Sequence, residues 1–343
     1  MSYAALPVLR TPRLTLRPLT DHDADAIVDG IGNFDVSKWL AVVPYPYSRD
    51  DAERFIAKVQ GSGKPFWAIC DADGLQGVVC LDDELAYWLA RRAWGRGYGF
   101  EAALAAVSHW FSDPAAGDLM SGYFQGNTAS GRLLSALGFV LEEQQERYAK
   151  SFQQDVVSNK MVLSRARWKA RLEMAIYTPR LAIRPMMVGD AAALVALAVP
   201  EVTRNLSQIP TGWSEKDALD FIGKSRFRGL PGFRLAIEKD GQCIGGLGLG
   251  GSPVGIAYFL SPAHWGQGIA TEALSAFLPE VFERFPLNTL VAEHFDDNPA
   301  SGGVLRKLGF VETGQGMGTS KGRLEPHPVI TYALSREGLK VPV

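Results

Sequence analysis

The chain writes much of itself twice. WGRGYGFEA at residues 94–102 returns as WGQGIATEA at 265–273, an offset of 171 residues. The same offset carries Ala86-Tyr87 onto Ala257-Tyr258, FQGNTASG (124–131) onto FDDNPASG (295–302), LGFV (137–140) onto LGFV (308–311) and LSR (163–165) onto LSR (334–336). TPRLTLRP (11–18) matches TPRLAIRP (178–185) at an offset of 167, so the second copy gains four residues between its first strand and its glycine turn. A period this long excludes a solenoid of short units and means one domain of about 165 residues, duplicated, each copy large enough to close its own core. The expected bounds are 1–167 and 174–343. The join, ARWKARLEMAI (166–176), has neither Pro nor Gly. Residues 168–173 are therefore read as a short ordered connector, helical in pattern, between two domains packed on each other.

One copy alternates strand and helix signals in an order that specifies the class. RLTLRP is an alternating strand, residues 21–31 are helical with acids in the first turn, and a second helix runs from about Arg49 to Gln60. FWAIC and GVVCL form a hairpin through Asp73-Gly74, and ELAYWLA adds a third meander strand. After the glycine turn come an Ala-rich helix to about Phe111, the strand LMSGYF, a helix over 128–137 ending at Gly138, and the strands FVLEEQQERY and NKMVLSR. This is an α+β fold with a mixed sheet, and it lacks the βαβ repeat of a dinucleotide-binding domain. In the second copy GGLGLGGSPVG (245–255) is glycine-rich for meander strands and reads as a bulged or mobile edge.

Composition excludes several classes. Formal net charge is −2, with no basic run, which argues against a nucleic-acid partner. No run of 18 apolar residues occurs and the N-terminus has no apolar signal core, so no membrane span is expected and the cytoplasm is the expected compartment. Cys70, Cys80 and Cys243 are odd in number and lack CxxC spacing, against a disulfide scaffold or cysteine zinc site; no metal is expected.

The repeated glycine turn carries the chemistry. A strand feeding directly into a helix aims the first unpaired N–H groups, and the positive end of the helix dipole, at one spot. Gly97 and Gly99 remove side chains that would hold an anion away, so a pyrophosphate suits the turn, as does a bland tight connection. The turn, followed some thirty residues later by NTASGRLLSALGF, resembles the GNAT (GCN5-related) N-acetyltransferase superfamily, and within it the branch of the ribosomal-protein N-terminal acetyltransferases. Both copies carry both motifs, so the resemblance covers almost the whole chain and implies two tandem acyl-CoA N-acyltransferase folds.

The resemblance implies acetyl-CoA as donor and a primary amine as acceptor. Arg96, Gly97, Tyr98, Gly99 and Phe100 would cradle the pyrophosphate in copy one, and Gln267, Gly268, Ile269, Ala270 and Thr271 in copy two. Tyr87, Trp88 and Leu89, with Tyr258, Phe259 and Leu260, would pair with the pantetheine amides. Asn127 and Asn298 would bond the pantetheine or a nearby water, and their spacing also suits helix capping. Many family members place a Tyr seven residues after this Asn as the acid that protonates the thiolate; here Leu134 and Leu305 stand there. Related members use the Ser three residues after it, here Ser130 and Ser301, which also fit a first-turn capping role. Glu101 and Glu272 match the family pattern and are read as structural acids in a helix's first turn.

The general base is open. Glu84 and Glu146 are candidates in copy one. Glu84 corresponds to Gly255, so copy two would need its own, with Glu293, His294 and His327 as candidates; a water chain is a further option. Loops 33–48 and 200–213 would shape the acceptor groove, and their aromatic and apolar content suggests a partly hydrophobic one. Amine acceptors from protein N-termini to small molecules fit. The alternatives are one catalytic copy beside an acyl-CoA-binding or structural copy, and aminoacyl transfer from tRNA. A monomer with a pseudo-dimeric pair of domains is the expected state.

Overall fold

A computed structural model describes residues 6–82 and 84–341. The chain divides into two compact units, residues 1–171 and 172–343. In the first, the strands are β1 (Leu9–Arg10), β2 (Thr15–Pro18), β3 (Phe66–Asp71), β4 (Gly74–Leu81), β5 (Leu85–Leu89), β6 (Leu119–Phe124), β7 (Val140–Ala149) and β8 (Gln154–Leu163). The helices are α1 (Ala24–Ile31), α2 (Phe34–Ser37), α3 (Arg49–Ser62), α4 (Tyr98–Ser112), α5 (Thr128–Leu137) and α6 (Arg165–Leu172). The second unit repeats the plan with β9 (Ile176–Tyr177), β10 (Ala182–Pro185), β11 (Phe233–Lys239), β12 (Gln242–Gly250), β13 (Gly255–Leu260), β14 (Thr289–Phe295), β15 (Val311–Gly318) and β16 (His327–Ser335). Its helices are α7 (Ala191–Leu197), α8 (Pro200–Thr203), α9 (Glu215–Lys224), α10 (Ile269–Arg284) and α11 (Pro299–Lys307).

Each unit builds one eight-stranded sheet, ordered β1-β2-β3-β4-β5-β6-β8-β7 and, in the second, β9-β10-β11-β12-β13-β14-β16-β15. All neighbours are antiparallel except β5 with β6 and β13 with β14. The α+β class and mixed sheet expected from the sequence are thus what the chain adopts. Helix starts follow their caps: Ser48 and Ser214 each accept a hydrogen bond from the N3 amide, with Asp51 and Asp217 reaching back, and so set the starts of α3 and α9. The expected connector is largely α6, built onto the first unit: Trp168 stacks on Phe111 and the Arg171 Nε donates to the Ala136 carbonyl at 2.7 Å.

The glycine-rich stretch of the second copy is not the edge expected from its composition. β12 is an interior strand between β11 and β13, and its irregularity, the extra residue Ile244 opposite Ile237/Glu238, falls just ahead of the stretch. A Cβ on Gly245 would stand 2.2 Å from the Phe259 carbonyl oxygen and one on Gly248 2.1 Å from that of Phe233, so these glycines permit close backbone approach within the sheet. Most of the added length lies in the hairpin after it: residues 250–255 separate the paired Leu249 and Ile256, against 82–84 between the paired Leu81 and Leu85 of the first unit. Cys70, Cys80 and Cys243 are free thiols, and burial pushes Cys80 up to about 12 and Cys243 to about 11. Among the described residues no helix is long and apolar enough to cross a membrane.

Candidate active site

The site begins where the sheet splits. β5 and β6 share one register pair, Leu85 with Ser121, whose buried hydroxyl donates to the Leu85 carbonyl at 2.8 Å. β13 and β14 likewise meet at Gly255 with Val291. Beyond that point the parallel strands diverge, opening a notch beside Tyr87–Leu89 in one unit and Tyr258–Leu260 in the other. Among the described residues only one edge of β5 is then engaged, by β4, through pairs such as Val79 with Tyr87 and Val78 with Trp88. The other edge is free to pair with an extended amide-bearing ligand.

At the far end of β5 lies the glycine turn. Trp94 Nε1 donates to the Leu89 carbonyl and Trp265 Nε1 to that of Leu260, both at 2.9 Å, so the tryptophan of each motif ties turn to strand. Gly95 and Gly97 have φ of 75° and 76°, and Gly266 and Gly268 of 72° and 74°, the left-handed region that favours glycine. Gly97 and Gly268 are the N-caps of α4 and α10. The first main-chain bonds run from Glu101 N–H to the Gly97 carbonyl and from Glu272 N–H to that of Gly268. The amides of Tyr98 and Gly99, and of Ile269 and Ala270, precede those bonds and point from the helix end. Gly95 and Gly266 were not among the expected site residues; the W-G pair repeated in both copies is the signal that marks them. Gly99 is buried, and a Cβ there would meet Leu133 at 3.1 Å and Leu89 at 3.4 Å. Its missing side chain therefore serves packing of α4 on α5 and β5.

Across the notch from β5 stands the start of α5. Asn127 Oδ1 accepts the Ser130 amide at 3.2 Å, and Asn298 Oδ1 the Ser301 amide at 3.4 Å, so both asparagines cap their helices. Ser130 Oγ lies 2.8 Å from the Tyr87 hydroxyl and Ser301 Oγ 2.7 Å from that of Tyr258. Sequence reading had assigned Tyr87 and Tyr258 to strand pairing alone. Desolvation pushes the Tyr87 phenol upward against the Ser130 hydrogen bond, and carries Tyr258 up to about 12. Both phenols are therefore neutral at any ordinary pH. Leu134 and Leu305 are buried in the core.

The other candidates are scattered. Glu84 is ion-paired to Arg147 at 3.0 Å. Glu146 is exposed on the edge strand β7. Glu293 is exposed on β14, whereas His294 is buried, its Nδ1 2.7 Å from the Phe295 carbonyl and its Nε2 3.2 Å from the Tyr332 hydroxyl. That hydroxyl also accepts from Arg306 Nη1 at 3.0 Å, which makes His294 a satisfied core residue. His327 Nε2 lies 3.0 Å from Asp296.

Loop 33–48 opens with α2, and its Trp39 indole lies against Gly126, beside Asn127, in contact range of a Cβ there at 3.8 Å. Phe34, on the same loop, packs on Tyr45 at 4.9 Å and on Phe152 at 5.6 Å. In the second unit the place of Gly126 is taken by Asp297, clamped by Arg204 and by Arg323, the latter at 2.7 Å; both hold its carboxyl below the ordinary range. Ser320 Oγ, from the turn that carries Arg323, donates to the carbonyls of Thr203 and Leu206. Asp296, Asp297 and His327 have ligand atoms within 4.8 Å of one another, but two guanidinium groups already engage Asp297 and would repel a cation.

The family described as the acetyltransferase (GNAT) domain matches this chain at residues 13–140 and again at 180–311. The uncharacterized N-acetyltransferase p20 of Bacillus licheniformis is 29% identical over 160 residues, 43% of this chain and 90% of that protein. The uncharacterized N-acetyltransferase YoaA of Bacillus subtilis is 28% identical over 153 residues, 40% of this chain and 84% of that protein. Among solved structures, an acetyl transferase of Salmonella typhimurium that modifies the N-terminal serine of ribosomal protein L7/L12 is 21% identical, covering 47% of this chain and 99% of its own, with a TM-score of 0.41.

Proposed function

The chain belongs to the GNAT acetyltransferase domain family, an acyltransferase family that it matches in both halves, and from that premise we propose that it moves an acetyl group from acetyl-CoA to a primary amine. The observation that carries this reading is the repeated conjunction of a split sheet, a left-handed glycine turn at a helix N-terminus, and a hydroxyl pair facing the split. The residues fit the donor. The turn offers helix amides and no side chain at Gly97 or Gly268, where a phosphate would lie, and the open edge of β5 or β13 suits the pantetheine amides.

Acetyl-CoA supplies the acetyl group activated as a thioester. The acceptor amine attacks directly, forming a C–N bond as the C–S bond breaks. Ser130 Oγ–H, or Ser301 Oγ–H, is the proton source for the leaving sulfur, and the serine recovers its proton from water. Tyr87 and Tyr258 remain neutral and orient the serine through their hydroxyl contact with it, and the Tyr258 hydroxyl also reaches the Ser301 carbonyl at 3.2 Å. Among the described candidates Glu84 is paired with Arg147 and His294 is satisfied in the core, which favours solvent in deprotonating the amine. A second reading has a specific observation behind it. The Arg204–Asp297–Arg323 clamp beside Asn298 has no counterpart at Gly126, which favours a division of labour in which the first unit alone turns over.

Titration of the intact chain with acetyl-CoA by calorimetry, followed by thiol release with a panel of peptide and small-molecule amines, tests both. Two sites and amine-dependent thiol release support the first reading. One catalytic site beside one binding site supports the second. No binding defeats both.

A further inference from the structure

A carboxylate, buried in the first unit and partly exposed in the second, ties the first strand segment of each unit to its glycine turn. Glu101, 2% exposed, has both oxygens saturated: Oε1 accepts from Thr11 Oγ1 at 2.6 Å and from the Arg13 amide at 2.9 Å, while Oε2 accepts from Arg13 Nε at 2.7 Å and lies 2.6 Å from Arg13 Nη2. Arg13 Nη1 then donates to the Arg96 carbonyl, within the turn, at 2.7 Å. The second unit repeats every contact. Glu272 accepts from Thr178 Oγ1 at 2.5 Å, from the Arg180 amide at 3.2 Å and from Arg180 Nε at 2.6 Å, and Arg180 Nη1 donates to the Gln267 carbonyl at 3.1 Å. Burial alone would push the Glu272 carboxyl up, but these hydrogen bonds hold it below the ordinary carboxylate range.

Two consequences follow from this geometry. A turn carbonyl drawn onto the arginine is turned away from an incoming anion, which leaves the amides to face it. The arginine also retains N–H groups. Of its five donors, Nε and one on each terminal nitrogen are engaged, so each of Nη1 and Nη2 keeps one. Nη2 lies 3.3 Å from where a Gly97 Cβ would project, and Arg180 Nη2 lies 3.7 Å from the corresponding point at Gly268. Each arginine side chain is half exposed. In the first unit its plane also lies over the Tyr98 ring at 5.0 Å; Ile269 stands there in the second.

We propose that Arg13 and Arg180 are the positioning residues of the two pyrophosphate turns, each locking the turn carbonyl with its paired glutamate and presenting its spare N–H groups to the phosphate oxygens. This rests on the acetyl-CoA reading above. Its test compares CoA with pantetheine, which lacks the pyrophosphate, on the full-length chain by direct and competition calorimetry. Arg13→Gln is expected to weaken one CoA site about 10-fold or more and to change pantetheine affinity less than about 2-fold. Arg13→Lys keeps the charge but not the fork, and is expected to lose affinity nearly as far. Because Arg13→Gln leaves a buried carboxylate short of donors, Arg13→Gln with Glu101→Gln is measured beside it and should show the same selective loss. Arg180→Gln should act on the other site. Equal losses for CoA and pantetheine would overturn the proposal in favour of a general folding role. Parent-like CoA binding by Arg13→Lys would overturn the lock. A parent chain that binds pantetheine but gains nothing from the pyrophosphate would overturn it while sparing the thioester reading, and a parent that binds neither would defeat both.

Discussion

The two units agree on one side of the notch and disagree on the other. Turn, tryptophan hook, arginine–glutamate lock, capping asparagine and Tyr–Ser pair are repeated, with matching distances within a few tenths of an ångström. Opposite them, the first unit sets Trp39 against Gly126 and an aromatic group of Phe34, Tyr45 and Phe152, whereas the second sets an ionic clamp around Asp297. Ion pairing is also redistributed. In the first unit Arg91 and Arg92 pair with Asp35 and Asp29 just ahead of the turn; Pro262 and Ala263 occupy those places in the second. On the proposed reading, the side that would meet a common donor keeps one geometry, and the side that would meet the acceptor differs.

The largest expected effect strikes the common side. Gly97→Glu and Gly268→Glu each force a side chain into left-handed backbone, at about 1–2 kcal/mol, and put a carboxylate against the phosphate. Each should remove one acetyl-CoA site by calorimetry, a loss of about 100-fold or more in affinity. If one variant leaves the stoichiometry of the parent unchanged, the units do not share a donor site.

Next in size is the hydroxyl pair. Ser130→Ala should lower kcat by about 100-fold with little change in the donor KM, and Tyr87→Phe by about 10-fold, in the unit that turns over. Ser301→Ala decides the division of labour: a parent-like rate means the second unit is silent. Because the neutral phenol persists up to about 12 in Tyr258, the pH profile of Tyr258→Phe should keep the parent's shape while its height falls.

A packing swap sharpens the comparison further. In the first unit Gly30 of α1 and Val78 of β4 flank Trp88; in the second, Leu197 of α7 and Gly246 of β12 flank Phe259. The glycine has moved from helix to strand as the aromatic changed shape. A Cβ on Gly30 would stand 2.6 Å from the Trp88 ring, so Gly30→Ala should cost about 1–3 kcal/mol in thermal or chemical denaturation. Trp88→Phe in the same chain should recover part of it, and additivity of the two changes would contradict the swap.

The smallest effect is pH-dependent and shared. Burial would raise the carboxyls of Asp23 and Asp190, but Arg17 and Arg184, together with backbone amides, hold both below their ordinary value. A depressed folded value stabilises the chain above the unfolded carboxyl's pKa of about 3.9 and is lost as pH falls through the folded value. Asp23→Asn and Asp190→Asn should each cost about 2 kcal/mol at pH 7 and flatten the acid limb of the Tm–pH curve. A limb unchanged in either variant would assign the acid sensitivity elsewhere.

Sequence alone determined what is local or periodic. The duplication, the helix caps at Asn127 and Asn298, the order of strands and helices and the glycine turns were all legible, because each depends on neighbours within a few residues or on a repeat read against itself. Tertiary structure alone decided which groups meet: Thr11 and Arg13 with Glu101, Tyr87 with Ser130, Asp297 with Arg204 and Arg323. These partners lie far apart in the chain, and nothing in a strand's alternation states which loop will lie over it. The same reason misled the reading of 245–255. Glycine weakens a strand by its own entropy, yet inside a paired sheet its missing Cβ is what lets neighbouring backbone and the Phe259 ring approach. Composition reports the first effect, and only the packed sheet reveals the second.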